Sequence, residues 1–327
     1  MTDLSEATRR VLLHQHGNFA LAYSTAFQPK LSYFGDRDGF LAYRMVGRTA
    51  FVLANPLADP TRCRTLIEEF VSAKKDVCFA QASKATAEIL SQLGFCVNDM
   101  GPETSLDLAS YDFRGPSKRN FRTAVKRFEA GGYTVRESKT DALDPKEVGA
   151  VSDQWRRTRT TKRHELAFLV RPVVLADEED VRKFFIFDPS GKPVALAFFD
   201  PVYENGVVTG YLSSTRRRLP GVEPLAGYYM LHAAIEKFKA EGLRTLHLGL
   251  SPFHAIHDKD FNKNWLVRRS FRFVYTNALT NRLIYPFQSL AKHKDSYGGT
   301  RKQTYFAINT LPSLPRLLKL LWVCRII

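Results

Sequence analysis

The chain has 327 residues, room for about two domains, and its 44% apolar and 25% charged content is that of an ordinary globular protein. Its net charge of +15 is not ordinary and calls for a polyanionic partner: nucleic acid, an anionic membrane surface or a phosphorylated ligand. No apolar run reaches the length of a membrane span and the polar start MTDLSEATRR is not a signal peptide, so a cytoplasmic protein is expected.

In chain order, a helix is expected over residues 5–14 and strands over 16–24 and 31–34. Apolar runs at 39–45 and 49–54, joined by Val46-Gly47-Arg48, predict a hairpin. A loop (55–60), a helix (61–74, with Leu66, Ile67, Phe70 and Val71 on one face), a strand (76–81), a helix (85–93) and a strand (95–98) follow. Cys63, Cys78, Cys96 and Cys324 form no CxxC pair and read as buried free thiols.

The stretch 106–137 organises the chain. Leu106 and Leu108 predict a short strand, and Gly115-Pro116-Ser117 breaks it, with Ser117 as the expected helix N-cap. The helix sets Phe121, Val125 and Phe128 on one face and also carries Lys118, Arg119, Arg122, Lys126 and Arg127. Gly131-Gly132 stops it before a strand over 133–136. Acids are nearly absent from its span, so the charge is uncompensated and a polyanion-binding face is expected.

Downstream, 151–163 predicts a helix bearing Trp155, Arg156, Arg157, Arg159, Lys162 and Arg163. Strands 194–201 and 206–213 flank Glu204-Asn205-Gly206, a strong turn signal. A loop (216–223), a long helix (225–241) and strands at 245–250, 271–275 and 305–309 complete the order. The last residues mix Leu314, Leu317, Leu318, Leu321 and Trp322 with Arg316, Lys319 and Arg325. Two readings stand there: an interfacial helix lying on a bilayer, or a final helix docked on the core.

Hairpin, loop, helix, strand thus occurs twice. That order implies an α+β protein of two tandem GNAT-like (acyl-CoA N-acyltransferase-like) domains, residues 1–112 and 133–327, joined by the basic helix 113–132. In that fold a glycine-rich loop presents backbone N–H groups to the coenzyme A pyrophosphate. Here Arg218-Leu219-Pro220-Gly221-Val222-Glu223 ends in an acid that opposes pyrophosphate, and 55–60 offers no such pattern. No coenzyme A and no other cofactor is expected, and the acyl donor is of another kind. His254, His257, Asp258 and Asp260 sit in an unpatterned stretch with no second cluster, so no metal is expected.

With these pieces in place the chain resembles the phosphatidylglycerol lysyltransferase C-terminal domain family. The resemblance rests on FLAYR and LANPLADP, GPETSLDLASYDFRGPSKRNFRTAVKRFEAGGYTV, SDQWRRTRTTKRHELAF, LHLGLSPF and YPFQSLAKHKDSYGGTRKQTYFAI in that order. It implies transfer of an amino acid from aminoacyl-tRNA to a membrane lipid such as phosphatidylglycerol, by a protein peripheral at the inner face of the membrane. The multi-helix membrane flippase that precedes this domain in the best-known members is not seen in this sequence. The resemblance implies Glu165, Lys294 and Arg216 as catalytic residues and Trp155, Ser213 and Tyr228 at the substrate. The basic helix residues Lys118, Arg119, Arg122, Lys126 and Arg127 would hold tRNA or phosphate. Ser213 and Tyr228 stand where the lysyl-lipid enzymes carry Asp, which puts lysine and even phosphatidylglycerol in question. Glu165 and Lys294 are expected to face one cleft and hold each other ionised. Two rivals remain: the same transfer to a soluble amine, hydroxylamine or peptide, and a non-catalytic RNA- or membrane-binding protein on this fold.

Overall fold

A computed structural model describes residues 4–159, 165–309 and 314–326. The elements are α1 (Glu6–His16), α2 (Ala22–Phe27), β1 (Ser32–Asp36), β2 (Gly39–Val46), β3 (Thr49–Leu53), β4 (Leu57–Ala58), α3 (Pro60–Lys74), β5 (Val77–Ala82), α4 (Lys84–Gln92) and β6 (Cys96–Asp107). Then come α5 (Arg119–Ala130), β7 (Thr134–Glu137), α6 (Pro145–Arg157), β8 (Arg182–Phe187), β9 (Pro193–Glu204), β10 (Val207–Arg218), α7 (Ala226–Ala240) and β11 (Thr245–Leu250). The chain closes with α8 (Trp265–Thr276), a π-helical turn (Thr280–Ile284), α9 (Phe287–Asp295), β12 (Thr300–Ile308) and α10 (Leu314–Val323).

The result is a mixed α/β protein around one sheet, ordered β1-β2-β3-β5-β12-β6-β11-β10-β9-β8-β7, with β4 paired to β2. The sheet centre joins the two halves of the sequence. β12 pairs antiparallel with β5, β6 pairs antiparallel with β11, and β6 and β12 pair with each other from Cys96↔Ile308 to Ser105↔Thr300. Each half therefore completes its sheet with a strand from the other. Residue 112 falls in the loop after β6. The expected linker helix is α5, whose Phe121 and Phe128 pack on Tyr228 and Tyr229 of α7.

Local chemistry explains most elements. Asp59 and Asp144 cap α3 and α6, each followed by a proline in the first turn. Asn205 and Gly206 both take positive φ, which a two-residue hairpin turn requires. Two expected strands are helical. Residues 16–24 end α1 and enter α2, where Ala22 to Ala26 are buried all round, a pattern an apolar run shares with a strand. Residues 271–275 lie in α8, because Asn264 caps Leu266 and Val267 and puts Val267 and Phe271 on the inner face. Ser117 is not the cap of α5. A 3-10 turn over Pro116–Lys118 precedes it, and Arg122 donates to the Phe113 and Gly115 carbonyls at 2.7 and 2.8 Å. Cys78 and Cys324 are buried thiols, and Cys63 and Cys96 are half-buried. α10 docks through Leu317, Leu320 and Val323, with its other face exposed. No helix among the described residues is long and apolar enough to cross a membrane.

Candidate active site

The site begins with two parallel strands that part. β10 pairs with β11 only from Gly210↔Thr245 to Leu212↔His247, yet β10 runs on to Arg218 and β11 to Leu250. A bulge at Ser213/Thr215 bends β10 at the point of separation. The gap is a cavity of about 570 Å³. The first half contributes Ser24 and Gln81. The tails of α6, α9 and α10 and the segment Tyr285-Pro286-Phe287 close the rest.

Its charge is one-sided. Arg156, Arg159, Arg171, Arg216, Arg217, Arg218 and Lys294 line it, against a single acid among the described residues, Glu165. Apolar side chains such as Leu212, Leu248, Phe253 and Leu320 fill the remaining wall. An apolar, water-poor wall strengthens each charge on it.

Lys294 is buried and donates to the Leu250 carbonyl at 2.5 Å. Burial first, then the Arg216 guanidinium, pull its pKa down to about 7, against a partial opposing pull from Glu103. Gly249 lies beside it at φ +77, a conformation that favours glycine, and a Cβ there would meet Nζ at an ordinary contact distance of 3.6 Å. Glu103 is held by Gln81 Nε2 at 2.5 Å, and burial raises its carboxyl above the usual range. Arg216 donates to the Tyr297 hydroxyl at 3.0 Å, and that hydroxyl lies 2.8 Å from His293 Nε2. Burial pushes His293 down to about 4 and Tyr297 up to about 12, so both are neutral at pH 7.

Glu165, Lys294, Arg216, Trp155 and Ser213 all line this cavity. Glu165 and Lys294 do not pair. Both Glu165 oxygens are taken by Arg217, at 2.9 and 2.6 Å, and Arg156 stands 3.8 Å away. The expectation that the two hold each other ionised is therefore corrected: Glu165 answers to Arg217, and Lys294 feels Arg216 and Glu103. Trp155 lies under the Arg217 and Arg159 guanidinium groups, at 4.9 and 4.3 Å. The Ser213 hydroxyl is buried without a protein partner. Tyr228 is outside the lining, packed on Phe121 and Tyr297, its hydroxyl 2.7 Å from Ser296.

The basic helix divides. Lys118 is buried, its ammonium bound to the Tyr111 hydroxyl at 2.9 Å and to the Tyr297 carbonyl, so it cannot meet a polyanion as expected. Arg122 is engaged by backbone carbonyls and Arg127 by Glu223. Arg119 and Lys126 are exposed. Glu223, the acid expected to oppose a coenzyme A pyrophosphate, is thus the partner of a helix cation, and Arg218 binds the Val222 carbonyl across the same loop. His254, Asp258 and Asp260 go to separate partners: Tyr275 at 2.8 Å, the Asp99 N–H at 2.6 Å and Tyr305 at 2.8 Å. Lys162 and Arg163 lie outside the described residues.

Five site residues escaped the sequence: Arg217, Glu103, Gln81, His293 and Tyr297. Tyr297 lies in the turn just past the end of α9, three places after Lys294, and that nearness in sequence was its one local signal. A further buried group braces the wall: Arg171 binds Asp200 at 2.6 and 3.1 Å and Glu178 at 2.8 and 2.9 Å, and Ser214 donates to Asp200 at 3.0 Å.

A family model described as "Phosphatidylglycerol lysyltransferase, C-terminal" matches residues 9–308. The phosphatidylglycerol lysyltransferase of Bacillus subtilis (strain 168) is 24% identical over 313 residues, covering 92% of this chain and 35% of that protein. The chain spans about a third of the length of the curated relatives it matches. The structure of L-PGS from Bacillus licheniformis superposes with a TM-score of 0.79 at 19% identity, covering 98% of this chain and 96% of that one. The C-terminal domain of a putative lysylphosphatidylglycerol synthetase from Agrobacterium fabrum gives 0.77 at 16% identity, with 97% and 96% covered. At these identities the two structures carry the fold.

Proposed function

The chain belongs to the phosphatidylglycerol lysyltransferase C-terminal family, and on that premise we propose that it is an aminoacyltransferase. It moves an amino acid from aminoacyl-tRNA to a membrane phospholipid such as phosphatidylglycerol, at the cytoplasmic membrane surface. The observation that carries the reading is the cavity, where a buried lysine with a pKa near 7 meets a guanidinium in an otherwise cationic and apolar space. Such a space suits an anionic headgroup with its glycerol beside an ester.

The aminoacyl ester is already activated, so the enzyme must place a nucleophile, move a proton and hold an oxyanion. A lipid hydroxyl attacks the ester carbonyl. Lys294, part neutral amine at pH 7, takes the hydroxyl proton as the new C–O bond forms. Arg216, oriented by Tyr297, faces the lipid phosphate or the oxyanion. The old ester bond then breaks, and Lys294 returns the proton to the departing ribose oxygen. Glu165 and Trp155 act together, because both fix Arg217 in the wall.

The recurrence of hairpin, helix and strand on each side of the central pair supports two acyltransferase-fold units, residues 1–112 and 133–327, with 113–132 as the joining helix. The exposed Arg119 and Lys126 are the helix cations available to tRNA.

The test is direct. Purified protein is incubated with tRNA charged with labelled amino acids and with phosphatidylglycerol vesicles. Label is expected in the organic phase. Label only on an added amine or hydroxylamine would overturn the lipid acceptor, and no transfer to either would overturn the transferase.

A further inference from the structure

Eleven large apolar side chains are exposed among the described residues, and seven of them lie between residues 265 and 322. That segment is about a fifth of the chain. Three form a stripe on α10: Leu314, Leu318 and Trp322, at i, i+4 and i+8, each about half exposed (49, 55 and 51%). Leu279 and Leu283, at 65 and 62% exposure, project from the π-helical turn, and Phe273 at 60% from α8. These elements adjoin, because α10 packs on α8 and α8 on the turn. They also border the cavity: Leu320 and Leu321 of α10, Cys324 just after it and Tyr285-Pro286 after the turn are part of its wall.

Charge says what covers this face. Residues 265–327 hold eleven Lys and Arg against one acid, Asp295. Arg269, Arg272 and Arg282 are exposed beside the apolar side chains. A second copy of the chain would bring like charges together, which opposes pairing. A nucleic acid has no use for exposed leucines. An apolar stripe with a cationic rim and a tryptophan is the chemistry of the anionic bilayer interface.

We infer that α8, the π-helical turn and α10 form one docking face that inserts its leucines and Trp322 into the surface of an anionic bilayer, with the cavity opening at its border. α10 has ten residues and an inner face held by Leu317, Leu320 and Val323, so it lies in the interface and does not span it. A lipid then reaches Lys294 and Arg216 by moving its headgroup sideways, while its chains stay in the membrane. The inference deepens the lipid-acceptor reading and rests on it for that last step. Docking itself does not require transfer.

The experiment separates the two. The full chain, without tRNA, is sedimented with vesicles of phosphatidylcholine alone and of phosphatidylcholine with phosphatidylglycerol. Binding is expected only to the second, with Trp fluorescence shifted to the blue. A variant carrying Leu279→Ser, Leu283→Ser, Leu318→Ser and Trp322→Ser should bind at least tenfold more weakly, with unchanged thermal melting. Its transfer to a short-chain, micelle-free lipid should equal that of the wild type. Unchanged vesicle binding in the variant, or no binding by the wild type, would overturn the docking face. Self-association of the wild type that the four substitutions abolish would assign the face to a second copy. Docking without transfer to any lipid would leave the face standing and remove the acceptor.

Discussion

Lys294→Met tests the central claim, since methionine keeps the length of lysine and removes its charge. A fall in pKa from 10.5 to about 7 means that the protonated form is penalised in the folded state by roughly 5 kcal/mol. Below about pH 7 folded and unfolded chains both carry the proton, and the whole penalty is present. Between about 7 and 10.5 the unfolded chain binds more protons than the folded one, so stability climbs with pH and the penalty fades. The substitution also leaves the Leu250 carbonyl without its donor, a loss of about 1–3 kcal/mol at every pH. At about pH 6 the variant should therefore be more stable than the wild type by about 2–4 kcal/mol. By about pH 9 that advantage should shrink by roughly 3 kcal/mol. Urea denaturation of both proteins across this range measures the difference, and other titrating groups cancel in it. Turnover is the second readout. The wild type should rise with pH through a midpoint near 7, as a proton acceptor must be deprotonated. The variant should lose that limb and at least about tenfold in rate, or about 1.4 kcal/mol. A stability difference that does not move with pH, or an intact limb in the variant, refutes the reasoning.

Neutralising Arg119 and Lys126 together should weaken tRNA binding and lower its salt slope by about two, as read from binding at several salt concentrations. Lys118→Met should instead lower unfolding free energy by about 1–3 kcal/mol and leave the salt slope alone, since its ammonium is buried on Tyr111 and Tyr297. Glu165→Gln leaves the buried Arg217 without its acid and should lower unfolding free energy by about 3 kcal/mol and turnover by about tenfold, with the pH midpoint unmoved. Ser213→Asp adds an acid to a cavity with one, so competition between lysyl- and alanyl-tRNA should shift toward lysyl by at least about tenfold.

The outer parts of the fold were legible because their signals are local. Asn205-Gly206 sets its own turn, and Asp59 with Pro60 starts α3 whatever surrounds them. The centre was not. β6 reads as two short strands, because Asp99, Gly101, Pro102 and Glu103 interrupt it with polar and breaking residues. Their partners are remote: Asp99 accepts from the His257 and Asp258 N–H groups at 2.7 Å, and Glu103 from Gln81. The site was legible in part for the same reason. Glu165, Lys294 and Arg216 stand out in type and position. Nothing local tells Lys118, which turns inward to Tyr111, from Arg119, which does not, or says that Arg217 claims Glu165.

One asymmetry explains why the cavity lies where β10 and β11 part and not where β3 and β5 run side by side. In the first half, β3 and β5 stay paired to the end, from Ala50↔Val77 to Leu53↔Ala80, and the Ala54 N–H still donates to Ala80. β3 then stops. In the second half β10 overruns its pairing with β11 by six residues, and those six include Arg216, Arg217 and Arg218. An overrunning strand stays ordered only if its other edge is held. β9 does so, pairing Arg216, Arg217 and Arg218 with Ala197, Leu196 and Ala195. The free edge faces the gap, where a buried lysine, a guanidinium and an unpartnered serine hydroxyl meet. The first half is left to supply walls, Ser24 and Gln81, and its strand β6, which holds Glu103 toward Lys294. The cavity on one side of the sheet thus depends on strands exchanged across its middle, and neither half supplies all of its lining alone.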